Sequence, residues 1–389
     1  MKTKSAFIQQ LQSSLEGLKQ FPLDDLISEN LLSPFSLEIP SAILQQAQNI
    51  VASLFHLREQ TSYAAHYAAT LQEKALKDPA NKSIMMSYDF HVDPQQNLKL
   101  IEINTNAAFL ILGHQMYASK GHPLPVPDFS LLEIGDSIRQ EMQLQGKAAP
   151  NDMKVAIIDQ APSEQRLYIE FLAYNELFKS WGWDSRILDY RELFQGFTPD
   201  FIYNRYTDFF LNDASSAPLR EKFLNRKVCL SPNPYEYFLL ADKQRMIDWS
   251  EPGFLERHIS NPQHVQNIRQ CLPISHELCP AKAEQIWAQR KTLFFKPKNA
   301  FGSKQTYRGS SISRKAFDEL LGQDIIAQEF VPAAEQTFET PEGPQNFKYD
   351  LRCYAYQGRV QLILARLYQG QVTNLRTPYG GFATVLLRP

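Results

Sequence analysis

SYDFHVDPQQNLKLIEIN (Ser87–Asn104) reads as two strands joined by a turn. Ser87–Val92 and Leu98–Asn104 alternate as strands do, and Asp93-Pro-Gln-Gln-Asn97 between them is turn chemistry. Successive side chains in a strand take opposite faces, so Leu98, Leu100, Glu102 and Asn104 are expected on one side. Lys99, Ile101 and Ile103 would take the other, and apolar residues on both sides predict a strand covered on both. Glu102 then emerges near a buried end, where an unpaired carboxylate is costly and needs a cation or donors. Asp89 on the partner strand lies close enough to share that cation. Asp, Glu and Asn offer oxygen alone, which suits Mg²⁺ rather than zinc. A lone E-x-N is more often a solvated acid at a strand end, so the rest of the chain must supply the cation's partners.

Composition narrows what those partners are. The 389 residues suffice for two or three domains, and 43% hydrophobic with 21% charged residues is ordinary for a globular protein. A net charge of −2 without a long basic run argues against nucleic acid or an anionic membrane as the main partner. MKTKSAFIQQ enters an amphipathic pattern directly, and AAFLILG is too short to span a bilayer. Cys229, Cys271, Cys279 and Cys353 lack paired C-x-x-C spacing, which argues against a zinc site and makes a reducing cytoplasm the expected location.

Working outward, four segments are expected. Residues 1–82 read as a helical region, with helices over Ser5–Gln20 and Pro40–Ala80 and Ile43, Ala47, Ile50, Leu54 and Leu57 at helical spacing. Residues 83–151 hold the hairpin and a helix around Ser130–Gln145. Residues 152–230 form a βαβ-like unit: strand KVAIID (154–159), helix Gln165–Trp181, strand SRILD (185–189) and strand DFIYNRY (200–206). This unit has no G-x-G-x-x-G turn, which argues against a dinucleotide site. Residues 231–389 are mixed α/β with hairpins.

The last segment carries most of the chemistry. Lys243 starts a helix, and Lys296-Pro297 ends a strand before a loop containing Gly302, Ser303 and Gly309. Two lysines aimed at one anion with backbone N–H groups nearby would neutralise phosphates, although no Walker loop is present. In DIIAQEFVPA (324–333), Gln328-Glu329-Phe330-Val331 suits a hinge that hydrogen-bonds an adenine edge. In YDLRCYAYQGRVQLILARLYQGQVTNLRTPYGGF (349–382), Asp350 and Arg352 share a face, and Arg366 closes an apolar run at a cleft. A guanidinium there can stabilise an oxyanion or a transferring phosphoryl group. Asn374 and Arg376, followed by Pro378, Gly380 and Gly381, have the composition of a loop that closes over a substrate.

In this order (Lys-Pro strand end, Gly/Ser loop, acidic hinge, D-L-R, A-R, T-N, G-G) the C-terminal half resembles an ATP-grasp ligase. The strand with Asp and the E-x-N that would follow there stand instead at 87–104. That permuted order is similar to eukaryotic-type glutathione synthetases, as are YNRY (203–206), Lys243, FFKP (294–297) and LRTP (375–378). The resemblance implies a circularly permuted ATP-grasp α/β fold with a helical N-terminal region and an inserted parallel-sheet substrate subdomain. It implies ATP and Mg²⁺, with Asp89, Glu102 and Asn104 on the metal. Lys243 and Lys296 would hold the phosphates, Gly302 and Ser303 cover them, and Gln328, Glu329, Phe330 and Val331 grip adenine. Arg205, Gly380 and Gly381 would meet the substrate, and Arg352, Arg366, Asn374 and Arg376 would serve catalysis. The implied reaction joins a small carboxylate to an amine through an acyl phosphate, in a homodimer. Ala107 and Phe109 replace a serine-bearing stretch of the glutathione enzymes, Ser87 replaces an arginine, and Ala300 replaces a loop glutamate. These departures point away from glutathione synthesis itself, which stays the alternative within the same chemistry; a non-catalytic ATP-binding protein is the alternative of another class.

Overall fold

The computed structural model describes residues 2–298 and 306–389. In chain order the strands are β1 (Leu32–Pro40), β2 (Met86–Val92), β3 (Leu98–Asn104), β4 (Lys154–Asp159), β5 (Asp184–Asp189), β6 (Phe201–Asn204), β7 (Cys229–Ser231), β8 (Ser275–Glu277), β9 (Leu293–Pro297), β10 (Tyr307–Arg308), β11 (Ile325–Glu329), β12 (Ala334–Thr340), β13 (Gly343–Tyr356), β14 (Arg359–Tyr368) and β15 (Gly381–Arg388). Among the described residues they form three sheets in a mixed α/β architecture.

The largest sheet runs β1-β15-β14-β13-β2-β3, with β12 also on β13. Its neighbours are antiparallel except β1, which lies parallel to β15. The 87–104 hairpin therefore joins strands from the far end of the chain: Asp89 is opposite Arg352, and Asp350 is opposite Arg366. Charged residues on adjacent strands thereby become cross-strand neighbours. Helix Leu110–Lys120 packs on β14 closely enough that a Cβ at Gly113 would strike Leu364. Helix Ser41–Glu59 buries Ile43, Ala47, Ile50, Leu54 and Leu57 on one stripe.

The second sheet is all parallel, in order β5-β4-β6-β7, and contains the expected βαβ unit with helix Tyr168–Ser180. The third, β10-β9-β11-β8, is antiparallel and carries Lys296 on β9 and Gln328 on β11. No described helix is long and apolar enough to cross a membrane.

Two local expectations are corrected. The N-terminal segment is not wholly helical, because Leu32–Pro40 is a strand paired with Phe382–Arg388. Pro34 lies where the register of that pairing shifts, a position where a missing N–H is tolerated. On β3 the alternation breaks: Asp89 pairs with Glu102 but Phe90 with Leu100, leaving Ile101 as a bulge. Leu98, Leu100 and Ile103 are buried, while Ile101, Glu102 and Asn104 are only partly covered. The bulge turns Glu102 away from the leucine face that strict alternation gave it.

Candidate functional site

A cavity of about 670 Å³ opens where the large sheet, the antiparallel sheet and the loop 369–380 meet. Its walls include Asp89, Glu102, Asn104, Lys243, Lys296, Gln328, Glu329, Phe330, Val331, Arg352, Arg366, Asn374 and Arg376. Residues up to 293 positions apart in the chain (from Asp89 to Phe382) thus face one space. Arg205, Gly380 and Gly381 do not line it, and Gly302 and Ser303 lie outside the described residues.

The sheet wall is a closed charge network. Arg352 Nε and Nη2 donate to the two oxygens of Asp89 at 2.8 and 2.6 Å. Arg366 Nη2 donates to Asp89 Oδ2 at 2.9 Å, and its Nε to Asp350 Oδ1 at 2.7 Å. Ser87 Oγ and Asn104 Nδ2 add donors to Asp89 at 3.3 Å each. Burial alone would raise the Asp89 carboxyl, but Arg352 and Arg366 outweigh it and hold the group well below the usual carboxylate range. Asp350 completes the wall by accepting from Thr373 Oγ1 at 2.5 Å.

This bears on the expected metal set. The sequence suggested Asp89 as a third ligand, and both of its oxygens already accept from guanidinium groups. Glu102 and Asn104 remain on the cavity wall, with Asn104 Nδ2 3.5 Å from Glu102 Oε1. Among the described residues no group of three or more His, Cys, Asp or Glu side chains is arranged for a metal ion. The Glu–Asn pair fits Mg²⁺, which takes one or two protein carboxylates and fills its remaining positions with water and phosphate oxygens.

The opposite wall is cationic. Lys296 Nζ donates to Gln328 Oε1 at 2.9 Å and to the Ile101 carbonyl at 3.4 Å. Among the described residues no carboxylate lies within ion-pair distance of it. Burial depresses its ammonium to about 8, Glu102 opposes that, and Lys243 adds to it. Lys243 stands at the residue before helix Gln244–Ser250, shortly after a π-helical turn, Tyr237–Ala241. Next to the lysines, Gln328 and Glu329 end β11 and Phe330–Val331 continues from it as a linker: Phe330 N–H donates to the Thr292 carbonyl and His91 Nδ1 to the Val331 carbonyl, each at 2.8 Å. Phe294 and Phe330 stack with centroids 6.3 Å apart, an apolar surface beside that linker.

Three expectations need a different account. Arg205 is buried: its Nη1 donates to Glu170 Oε2 at 2.8 Å and to Tyr203 Oη at 3.1 Å, and its guanidinium lies over Phe171. Glu170 also accepts from Phe109 N–H at 2.6 Å, so the pair ties the parallel sheet to the start of helix Leu110–Lys120. Gly380 and Gly381 are explained by backbone crowding, since a Cβ would meet the Leu367 carbonyl at Gly380 and the Asn30–Leu31 backbone at Gly381. The amide of Asn374 is spent within its own loop, accepting from Arg376 N–H (3.0 Å) and Thr377 N–H (3.1 Å) and donating to the Gln369 carbonyl (2.8 Å).

Sequence reasoning missed Arg166, His91, Tyr237, Phe209 and Thr373 on the cavity wall. Arg166 Nη2 donates to the Leu375 carbonyl at 2.7 Å and faces the cavity beside Leu167 and Leu375. Nothing in the local sequence around Arg166 marks it.

No family model matches the chain, and no curated protein matches it. Solved structures do, among them "Putative gamma-glutamylcysteine synthetase" from Methylobacillus flagellatus KT: 11% sequence identity, 88% of each chain covered, TM-score 0.46. A likeness that distant carries nothing about activity.

Proposed function

We propose that this protein is an ATP-dependent carboxylate–amine ligase of permuted ATP-grasp type, working through an acyl phosphate. One observation carries the reading: Lys243, Lys296, the Glu102–Asn104 oxygen pair, the Gln328–Val331 stretch and the Arg352–Arg366 pair all face one cavity. Two lysines and two arginines around an oxygen-ligand pair suit polyphosphate and its transfer, and suit neither hydride chemistry nor a serine or cysteine nucleophile.

The roles follow from position. The Gln328–Val331 stretch and the Phe294–Phe330 surface would take the adenine, and Lys243 and Lys296 the phosphates. Glu102 and Asn104 would hold Mg²⁺, which when bound neutralises charge between phosphate oxygens. Arg366, at the seam between the two carboxylates, would face the transferring phosphoryl group. Transfer of the γ-phosphoryl group to a substrate carboxylate gives an acyl phosphate and ADP. Attack by an amine, loss of its proton and expulsion of phosphate then give the amide. The chain supplies positioning and charge, and no protein nucleophile is required.

The test is ADP release with Mg-ATP and hydroxylamine across amino acids, γ-glutamyl dipeptides and other small carboxylic acids. Hydroxylamine traps an acyl phosphate as a hydroxamate. A hydroxamate with one acid is the expected result, and Glu102→Ala should abolish it while leaving the denaturation midpoint unchanged. Unaltered ADP release by Glu102→Ala would refute the metal assignment, and hydroxamate from a γ-glutamyl dipeptide would favour glutathione synthesis.

A further inference from the structure

The loop 369–380 is folded around Asn374 and touches the rest of the protein at several points. Asn30 Nδ2 donates to the Arg376 carbonyl at 3.2 Å, Lys348 Nζ to the Gly370 carbonyl at 2.7 Å, and Arg166 to the Leu375 carbonyl. These contacts are made to backbone carbonyls of the loop. Thr373 differs, because its hydroxyl reaches the buried Asp350, whose other oxygen holds Arg366 Nε.

We propose that Thr373 is a positioning residue through which this loop sets Arg366, a reading that rests on the phosphoryl-transfer role given to Arg366 above. With Thr373 on Asp350 Oδ2, Asp350 offers Arg366 a single oxygen. The second donor of the guanidinium, Nη2, is then left for Asp89, 2.9 Å away and beside Asn104 and Glu102. If the loop lifts, Asp350 Oδ2 loses its donor in a buried setting, where an unmatched carboxylate oxygen is costly. The planar fork of Arg366 can satisfy both Asp350 oxygens at once, and turning to do so removes it from Asp89. The two states are discrete: loop down with Arg366 bridging Asp350 and Asp89, or loop up with Arg366 forked on Asp350. Val372, Leu375 and Arg376 of the same loop line the cavity, so a substrate that holds them down also completes the charge arrangement.

Hydrogen–deuterium exchange of residues 369–380 in the full-length protein reads this coupling without a known substrate. Thr373→Val should raise exchange of those amides about tenfold, the loss of one hydrogen bond to a charged acceptor, and Thr373→Ser should restore protection. Arg366→Lys, which keeps the charge but not the fork that satisfies Asp350 when the loop lifts, should protect the same loop amides, and in the double variant the two effects should not add. Loop exchange that Arg366→Lys leaves unchanged, or effects that simply add, would overturn the coupling. With an acid found by the hydroxylamine trap, Thr373→Val should lower kcat at unchanged KM for ATP and Thr373→Ser should recover it. Wild-type kcat in Thr373→Val would also overturn it. If the wild type makes no hydroxamate yet the exchange effects are coupled, the ligase reading fails and the loop–Arg366 coupling stands.

Discussion

The two walls of the cavity handle charge in opposite ways. On the large sheet, Asp89, Arg352, Arg366 and Asp350 neutralise one another through hydrogen bonds of 2.6–2.9 Å. On the antiparallel sheet, Lys296 is held by an amide oxygen and a carbonyl, and no described carboxylate pairs with it. The first wall is a framework whose charges are satisfied on folding. The second keeps an ammonium group in an environment that depresses its ionisation until an anion arrives. The difference separates charges paired with one another within the fold from a cation held by neutral oxygens.

Removing a member of the paired wall should cost most. Asp89→Ala leaves Arg352 and Arg366 buried side by side, and the loss expected is about 3–5 kcal/mol in chemical denaturation. A loss under about 1 kcal/mol would show that the pairing is incidental. The same group gives a pH signature. The folded pKa of Asp89 lies below its unfolded value near 3.8, at about 2, so its contribution is fully present above pH 4 and fades as pH falls from 4 to 2. Asp89→Asn should remove that part of the acid dependence.

Lys296→Met inverts the pattern. It removes an unpaired, half-buried cation, so stability should stay within about 1 kcal/mol of the wild type or rise. ATP affinity should fall by about 2 kcal/mol, roughly thirtyfold, measured by calorimetry. A large loss of stability in Lys296→Met would dissolve the contrast between the walls. The smallest effect is expected at Asn374. Asn374→Ala loses several loop hydrogen bonds of an exposed turn, about 1 kcal/mol, and should leave ATP affinity unchanged.

Much of the site was legible because its motifs are local. Glu102 and Asn104 lie two apart in one strand, and Lys296 and Gln328 each sit at the end of an apolar run. What the sequence concealed is non-local. Arg352 and Arg366 are 263 and 277 residues from Asp89, so nothing near Asp89 shows that its carboxylate is already engaged. Arg205 reads as a substrate arginine until helix Tyr168–Ser180 brings Glu170 to it. Strand β1 was hidden by its two prolines and by a partner at the other end of the chain. The bulge at Ile101 leaves no mark in alternation, yet it decides which way Glu102 faces.

The central claim, that the lysine wall receives the phosphates of ATP, has a direct calorimetric test. Lys296 has a depressed pKa of about 8, so between that value and its unfolded value near 10.5 the folded, ligand-free protein binds fewer protons than the unfolded chain. Bound phosphate would favour the ammonium and raise that pKa again. Mg-ATP titrations at pH 8.5, in two buffers of different ionisation enthalpy, should therefore show binding with proton uptake, and Lys296→Met should lose most of the affinity and the uptake. Absence of Mg-ATP binding, or binding of unchanged affinity and proton stoichiometry in Lys296→Met, would contradict the account.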